Sequence, residues 1–112
     1  AKVWNGSISS DWTNPGNWVA GSIPTNIDCV VIPPAGNPAV ISGTGYNADA
    51  HNLTVHSGGS LTVNSGNTIT VTDIVDIHTG GQCIIRDSAS LVQVNNVNNT
   101  GTVTIERITQ PM

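Results

Sequence analysis

A chain of 112 residues with a formal net charge of −4 and only 9% charged side chains is sized for one domain around a single narrow core, not for a core plus a separate catalytic domain. Its three basic residues, Lys2, Arg86 and Arg107, cannot build a phosphate-neutralising stripe, which argues against nucleic-acid partners and against anionic membrane surfaces. No apolar run approaches the roughly 20 residues that span a bilayer, and Ala1-Lys2-Val3-Trp4 lacks the apolar segment of a signal peptide, as a mature or excised piece of a secreted protein would.

All three tryptophans fall in the first eighteen residues, as Trp4-Asn5-Gly6, Asp11-Trp12 and Asn17-Trp18, with a Pro15-Gly16 turn before the last pair. They are anchors rather than a periodic element. Large flat side chains of this kind suit a cap over the open end of a stacked fold, where a terminal layer exposes both its core and unpaired backbone groups. The competing reading is a sugar-stacking platform built from Trp4, Trp12 and Trp18. Gly21-Ser22-Ile23-Pro24 then turns the chain, and Asp28-Cys29-Val30-Val31-Ile32-Pro33-Pro34 reads as a short strand closed by prolines, which cannot donate to a ladder. Ala39-Val40-Ile41-Ser42 is expected to enter the first rung of a stacked fold.

From Asn52 to Val94 the sequence repeats with an offset of 22 residues: Leu53 falls on Val75, Val55 on Ile77, His56 on His78, Gly58-Gly59 on Gly80-Gly81, Leu61 on Cys83, Val63 on Ile85 and Ile69 on Leu91. Within each unit, apolar and polar residues alternate for three to five positions between clusters such as Ser57-Gly58-Gly59-Ser60 and Asn64-Ser65-Gly66-Asn67. Three short strands per unit cannot bury an apolar face alone, so the unit must coil and stack on the next. The fold class expected is all-β: a short right-handed parallel β-solenoid of about three rungs with a tryptophan-rich N-terminal cap. Residues 1–34 hold the cap and first strand, 39–108 the rungs, and 109–112 the start of a linker. Thr54, Thr62, Thr70 and Thr72 should point outward. Gln93 breaks the alternation, so Val92 or Val94 is expected to shift inward there. Thr102 to Ile108 reads as a last strand.

Trp4-x-Gly6, Asp11-Trp12, Asn17-Trp18, Gly21, Pro24 and Asp28-x-Val30-x-Ile32-Pro33, followed by Asn52-Leu53-Thr54-Val55 and Gly58-x-x-Leu61-Thr62-Val63, resemble short β-solenoid repeat modules of large secreted and cell-surface multi-domain proteins of Bacteroidetes-type bacteria, substrates of type IX secretion. Such proteins look like adhesins and polysaccharide-active enzymes, so the resemblance implies a location at the cell surface and an architecture more than an activity. Cys29 and Cys83 depart from the pattern.

His56 and His78 occupy the same place in successive units, with Asp73 and Asp76 close by. Two imidazoles and a carboxylate such as Asp76 could hold zinc or copper, but no third ligand stands at recognisable spacing, and two solvated turn residues explain the pair as well. His51 reads as a solvated loop residue. The sequence therefore assigns no metal and no cofactor. Asp73, Asp76 and Asp87 sit beside turns of a narrow convex object rather than across a cleft, Arg86 beside Asp87 reads as a surface pair, and no nucleophile-elbow, Cys-x-x-Cys, P-loop or dinucleotide pattern occurs, so catalysis is not expected. An extracellular compartment favours pairing of Cys29 with Cys83, whereas alternation sends Cys29 outward and Cys83 inward and favours free thiols.

The function expected is a non-catalytic extracellular module, a stalk, spacer or adhesive segment whose partners are neighbouring modules of the same polypeptide. The alternative from another class is a carbohydrate-binding module that recognises polysaccharide through the tryptophans. A third expectation concerns the C-terminal end, where Val103, Ile105 and Ile108 form an uncovered apolar edge suited to end-to-end self-association, as in a filament subunit.

Overall fold

Wherever the alternation runs for three or four residues between turn clusters, a strand forms; the structure, a computed structural model, describes residues 2–95, 97 and 99–105. The strands are β1 (Lys2–Val3), β2 (Cys29–Ile32), β3 (Ala39–Ile41), β4 (Asn47–Ala50), β5 (Asn52–Val55), β6 (Ser60–Val63), β7 (Thr68–Val71), β8 (Val75–Ile77), β9 (Gln82–Ile85), β10 (Ser90–Gln93) and β11 (Thr104–Ile105). They stack into three parallel sheets, β1-β2-β5-β8, β3-β6-β9-β11 and β4-β7-β10, one for each face of a prism. Strands β2 to β4 make one coil, β5 to β7 the second and β8 to β10 the third. Thr100, bridged to Asp76, and β11, on β9, begin a fourth. The result is a β-solenoid of about three turns measuring 47 × 29 × 25 Å.

The 22-residue register holds residue for residue: Leu53 pairs with Val75, Val55 with Ile77, Leu61 with Cys83, Val63 with Ile85 and Ile69 with Leu91. The inward set of the second coil, Leu53, Val55, Leu61, Val63, Ile69 and Val71, has no solvent exposure. Each such side chain contributes about 1.5–3 kcal/mol of burial. The first coil is different. Its inward set contains Ala39, Ala48 and Ala50, all fully buried, beside Val30, Ile32 and Ile41. Small side chains leave volume at this end of the core, and the three indoles of the adjoining head belong to the same buried cluster.

Between the first and second sheets the chain turns on glycines. Gly58 and Gly80 take φ values of +82° and +89°, where a Cβ is disfavoured. A Cβ on Gly59 would lie 2.3 Å from the Ile32 carbonyl oxygen, so the preceding coil crosses too close for any side chain there. The corner before β7 is held instead by buried Asn67: its side-chain oxygen accepts from Tyr46 N at 2.9 Å and its amide donates to the Gly43 carbonyl at 3.2 Å, tying one coil to the next.

Ala39–Ile41 enters the first coil, as its alternation implies. Strand β4 is an addition, since Asn47-Ala48-Asp49-Ala50 alternates polar residues with nothing larger than alanine. One expectation is corrected. Gln93, not Val92 or Val94, keeps the inward register, paired with Val71, while both valines are exposed. At the end of the core its amide can be satisfied: Nε2 donates to the Asp73 carbonyl at 2.7 Å and to Asn99 Oδ1 at 2.8 Å, and Oε1 accepts from Asn99 Nδ2 at 2.9 Å. Shifting a valine inward would break four in-register pairs of β10 on β7. Thr62 points outward but is only 9% exposed, because it stands in register between Val40 and Ile84. The expected last strand is described over Thr104–Ile105; Ile108 lies outside the described residues.

Candidate functional site

Three places carry the chemistry that the sequence singles out: the tryptophan head, the histidine corner and the C-terminal end. The head is half a coil in its own right. β1 adds to β2, and Asp11 bridges Val40 in parallel, with Val40 N donating to the Ser10 carbonyl at 2.8 Å and Trp12 N to the Val40 carbonyl at 3.1 Å. No regular ladder could hold the loop between them, and buried Asn17 does so instead. Its Oδ1 accepts from Ile8 N at 2.9 Å and Ser9 N at 2.8 Å; its Nδ2 donates to Ser9 Oγ at 3.0 Å and the Asp11 carbonyl at 2.9 Å. The Pro15–Asn17 3-10 turn, capped by the Asn14 side chain, delivers Asn17 to that position.

With the loop so fixed, Trp18 stands edge-on to both other indoles, its centroid 5.2 Å from that of Trp4 and 4.8 Å from that of Trp12. Trp4 and Trp12 are 0% exposed and Trp18 is 2% exposed. No indole face is open to a pyranose ring in this arrangement, so the geometry is that of a plug over the first coil. Two of the three N–H groups are satisfied: Trp4 Nε1 donates to the Asn37 carbonyl at 2.8 Å and Trp18 Nε1 to the Trp12 carbonyl at 2.9 Å. Trp12 Nε1 is buried without a partner among the described residues.

On the far side of the first sheet, the register that pairs Val55 with Ile77 sets His56 over His78. The imidazoles stack with centroids 4.9 Å apart and planes 17° from parallel, one inter-strand spacing. His78 Nε2 lies 3.3 Å from Asp76 Oδ2. Asp73 is not part of this group; its carbonyl serves the Gln93 amide. Among the described residues, no three His, Cys, Asp or Glu side chains converge so as to hold a metal ion. Arg86 and Asp87 lie beyond the third coil's β9 and are both engaged in interactions.

At the C-terminal end, Val103 is half-buried and Ile105 is 57% exposed; with Ile85, Ala89, Ser90 and Leu91 they line an open groove of about 260 Å³. The third member of that expected edge, Ile108, lies outside the described residues. Cys29 is free and exposed, and Cys83 is free and buried in the place of Leu61. Burial pushes the Cys83 thiol up to about 12. Two hydrogen bonds, from the Thr25 backbone N–H and the Thr25 hydroxyl, hold the Asp28 carboxyl below its ordinary range and shape the turn into β2. Burial, then the neighbouring Asp49 and Asp11, raise the Tyr46 phenol.

Sequence reasoning placed the histidine pair and the indoles but missed Asn17, Asn67 and Gln93. Asparagine in turn-rich sequence is too common to stand out, and an alternation count treats an inward glutamine as an error. Residues 3–112 match the family model described as a domain of unknown function (DUF8693). No curated protein and no solved structure matches the chain.

Proposed function

The chain belongs to the DUF8693 family, and on that premise we propose that it is a non-catalytic structural module, a stalk, spacer or adhesive segment of a larger protein that is secreted or displayed at the cell surface. The observation that carries this reading is the filled interior. Aliphatic side chains occupy all three coils and indoles close one end, which leaves the core itself no room for a ligand. The exterior is made mainly of short neutral polar side chains, Asn, Ser and Thr, with few formal charges. Such a surface keeps an elongated body in solution, which is what a spacer between modules requires. The resemblance to modules of secreted bacterial proteins supports the location.

Incubating the folded chain with a panel of insoluble polysaccharides, while iodide quenching is measured on its tryptophans, tests the reading. Blue-shifted, unquenched emission with no retention is expected. Retention that falls when Trp4, Trp12 or Trp18 is replaced would overturn it in favour of a carbohydrate-binding module. Surface biotinylation of the producing cell tests the location.

A second reading rests on a separate observation. The third sheet ends in β4 at one side and β10 at the other, with no further strand on either among the described residues. Open edges of the same strand direction at opposite ends fit head-to-tail stacking of copies, and Val103 and Ile105 add an apolar border. Sedimentation over a wide concentration range decides this: self-association that Ile105→Lys weakens is the expected result, and a strictly monomeric chain at the highest concentration refutes it.

A further inference from the structure

Among the described residues, the histidine corner is a cluster of metal-ligating side chains that a purely structural role does not use. The in-register column containing it runs Pro33, His56, His78, Thr102 from one coil to the next, so two imidazoles, bounded by non-ligands, are brought together by backbone pairing and not by a flexible loop. The turns after the two histidines are Ser57-Gly58-Gly59 and Thr79-Gly80-Gly81, and the His78 side chain is 45% exposed.

We propose that His56 and His78 form a two-imidazole site for a borderline divalent transition-metal ion of the zinc, nickel or copper class, with water completing its coordination. Imidazole nitrogen is the preferred ligand for this class. Asp76 is the positioning residue. It stands two residues before His78 on the same face of β8, and its carboxylate lies 3.3 Å from His78 Nε2. A carboxylate accepting from that nitrogen keeps the N–H on Nε2 and leaves the lone pair on Nδ1, the arrangement in which a second-shell carboxylate fixes the tautomer and orientation of a ligating histidine. In the stacked form the ring planes are 17° from parallel, so the in-plane lone pairs of the two rings do not converge on one point between them. Binding therefore tilts the two rings toward each other about their terminal sp³–sp² torsions, which are broad, with exposed His78 turning more freely than half-buried His56. Because His56 belongs to the second coil and His78 to the third, a bound ion is a staple between them.

The test titrates Ni²⁺ alone into the full chain carrying Cys29→Ser, which removes the exposed thiol as a competing ligand. Calorimetry gives affinity and stoichiometry, NMR follows the histidine ring signals, and thermal unfolding follows the staple. One ion per chain is expected, with paramagnetic broadening of the His56 and His78 signals and a rise in Tm with added metal. His56→Asn or His78→Asn should weaken binding at least about tenfold and abolish the Tm rise, and Asp76→Asn should weaken it by about tenfold. His51→Asn, at another corner, should change nothing. Substoichiometric binding, unchanged affinity in His56→Asn or His78→Asn, or loss of binding in His51→Asn would overturn the proposal.

Discussion

Replacing each buried tryptophan in turn by phenylalanine separates two contributions that burial alone would merge. Trp18→Phe removes the N–H that the Trp12 carbonyl accepts at 2.9 Å and perturbs both edge-on ring contacts. An acceptor left unpaired in the interior costs about 1–3 kcal/mol. Each weakened aromatic contact adds up to about 0.5–1.5 kcal/mol, before any term for the smaller ring. Trp4→Phe likewise strands the Asn37 carbonyl. Trp12→Phe loses ring volume too, but it deletes an N–H that is buried with no partner among the described residues, so the desolvation of that group is relieved and offsets the cavity. The expected order is Trp12→Phe mildest, Trp18→Phe most damaging, with a gap of about 2–3 kcal/mol between them. Urea unfolding followed by far-ultraviolet circular dichroism reads this directly. With slopes of about 1–3 kcal/mol per molar urea, the midpoints should differ by about 0.7 M or more. A Trp12→Phe midpoint at or below that of Trp18→Phe would refute the claim that indole hydrogen bonding, rather than ring volume, ranks these positions.

Val63→Asp places a carboxylate where exposure is zero, and should unfold a domain whose total stability is about 5–15 kcal/mol, whereas Thr68→Lys on the outer face should stay within about 1 kcal/mol of the parent; circular dichroism distinguishes them. Gly59→Ala, whose Cβ would meet the Ile32 carbonyl oxygen at 2.3 Å, should lower the Tm more than Gly66→Ala, which has open space but a φ of +85°. An aromatic disulfide reagent should titrate one thiol, Cys29, in the native chain and two in denaturant. Since the Cys83 thiol rises from 9.0 to about 12 on folding, the unfolded chain loses that proton first. Its contribution to stability is full below pH 9.0 and should fade by about 1.4 kcal/mol per pH unit from there toward pH 12, a decline that Cys83→Val removes.

Much of this architecture can be read from the order of residues alone. A side-chain period of two within runs and an offset of 22 residues between units suffice to pair β5 with β8, β6 with β9 and β7 with β10, because a parallel stack repeats its own sequence spacing. The histidine stack comes from the same register, and the split of Cys29 outward and Cys83 inward from the period of two. The first coil escaped the repeat for a physical reason. Its pairings run at offsets of 23, 22 and 21 residues, and its inward alanines carry little apolar signal.

What only the tertiary structure decided is where polar groups find partners. Asn17, Asn67 and Gln93 sit inward or buried because polar groups converge on them, from the neighbouring loop for Asn17 and from other coils for Asn67 and Gln93, and no pattern along the chain records that convergence. The same holds for the indoles. Composition allows them to be a cap or a sugar platform; in the structure all three are buried in one cluster with Ala39, Ala48 and Ala50 of the adjoining coil, the arrangement of a cap. The sequence determined the spacing that makes a solenoid; close packing of side chains from different coils decided which of its surfaces remain open to act.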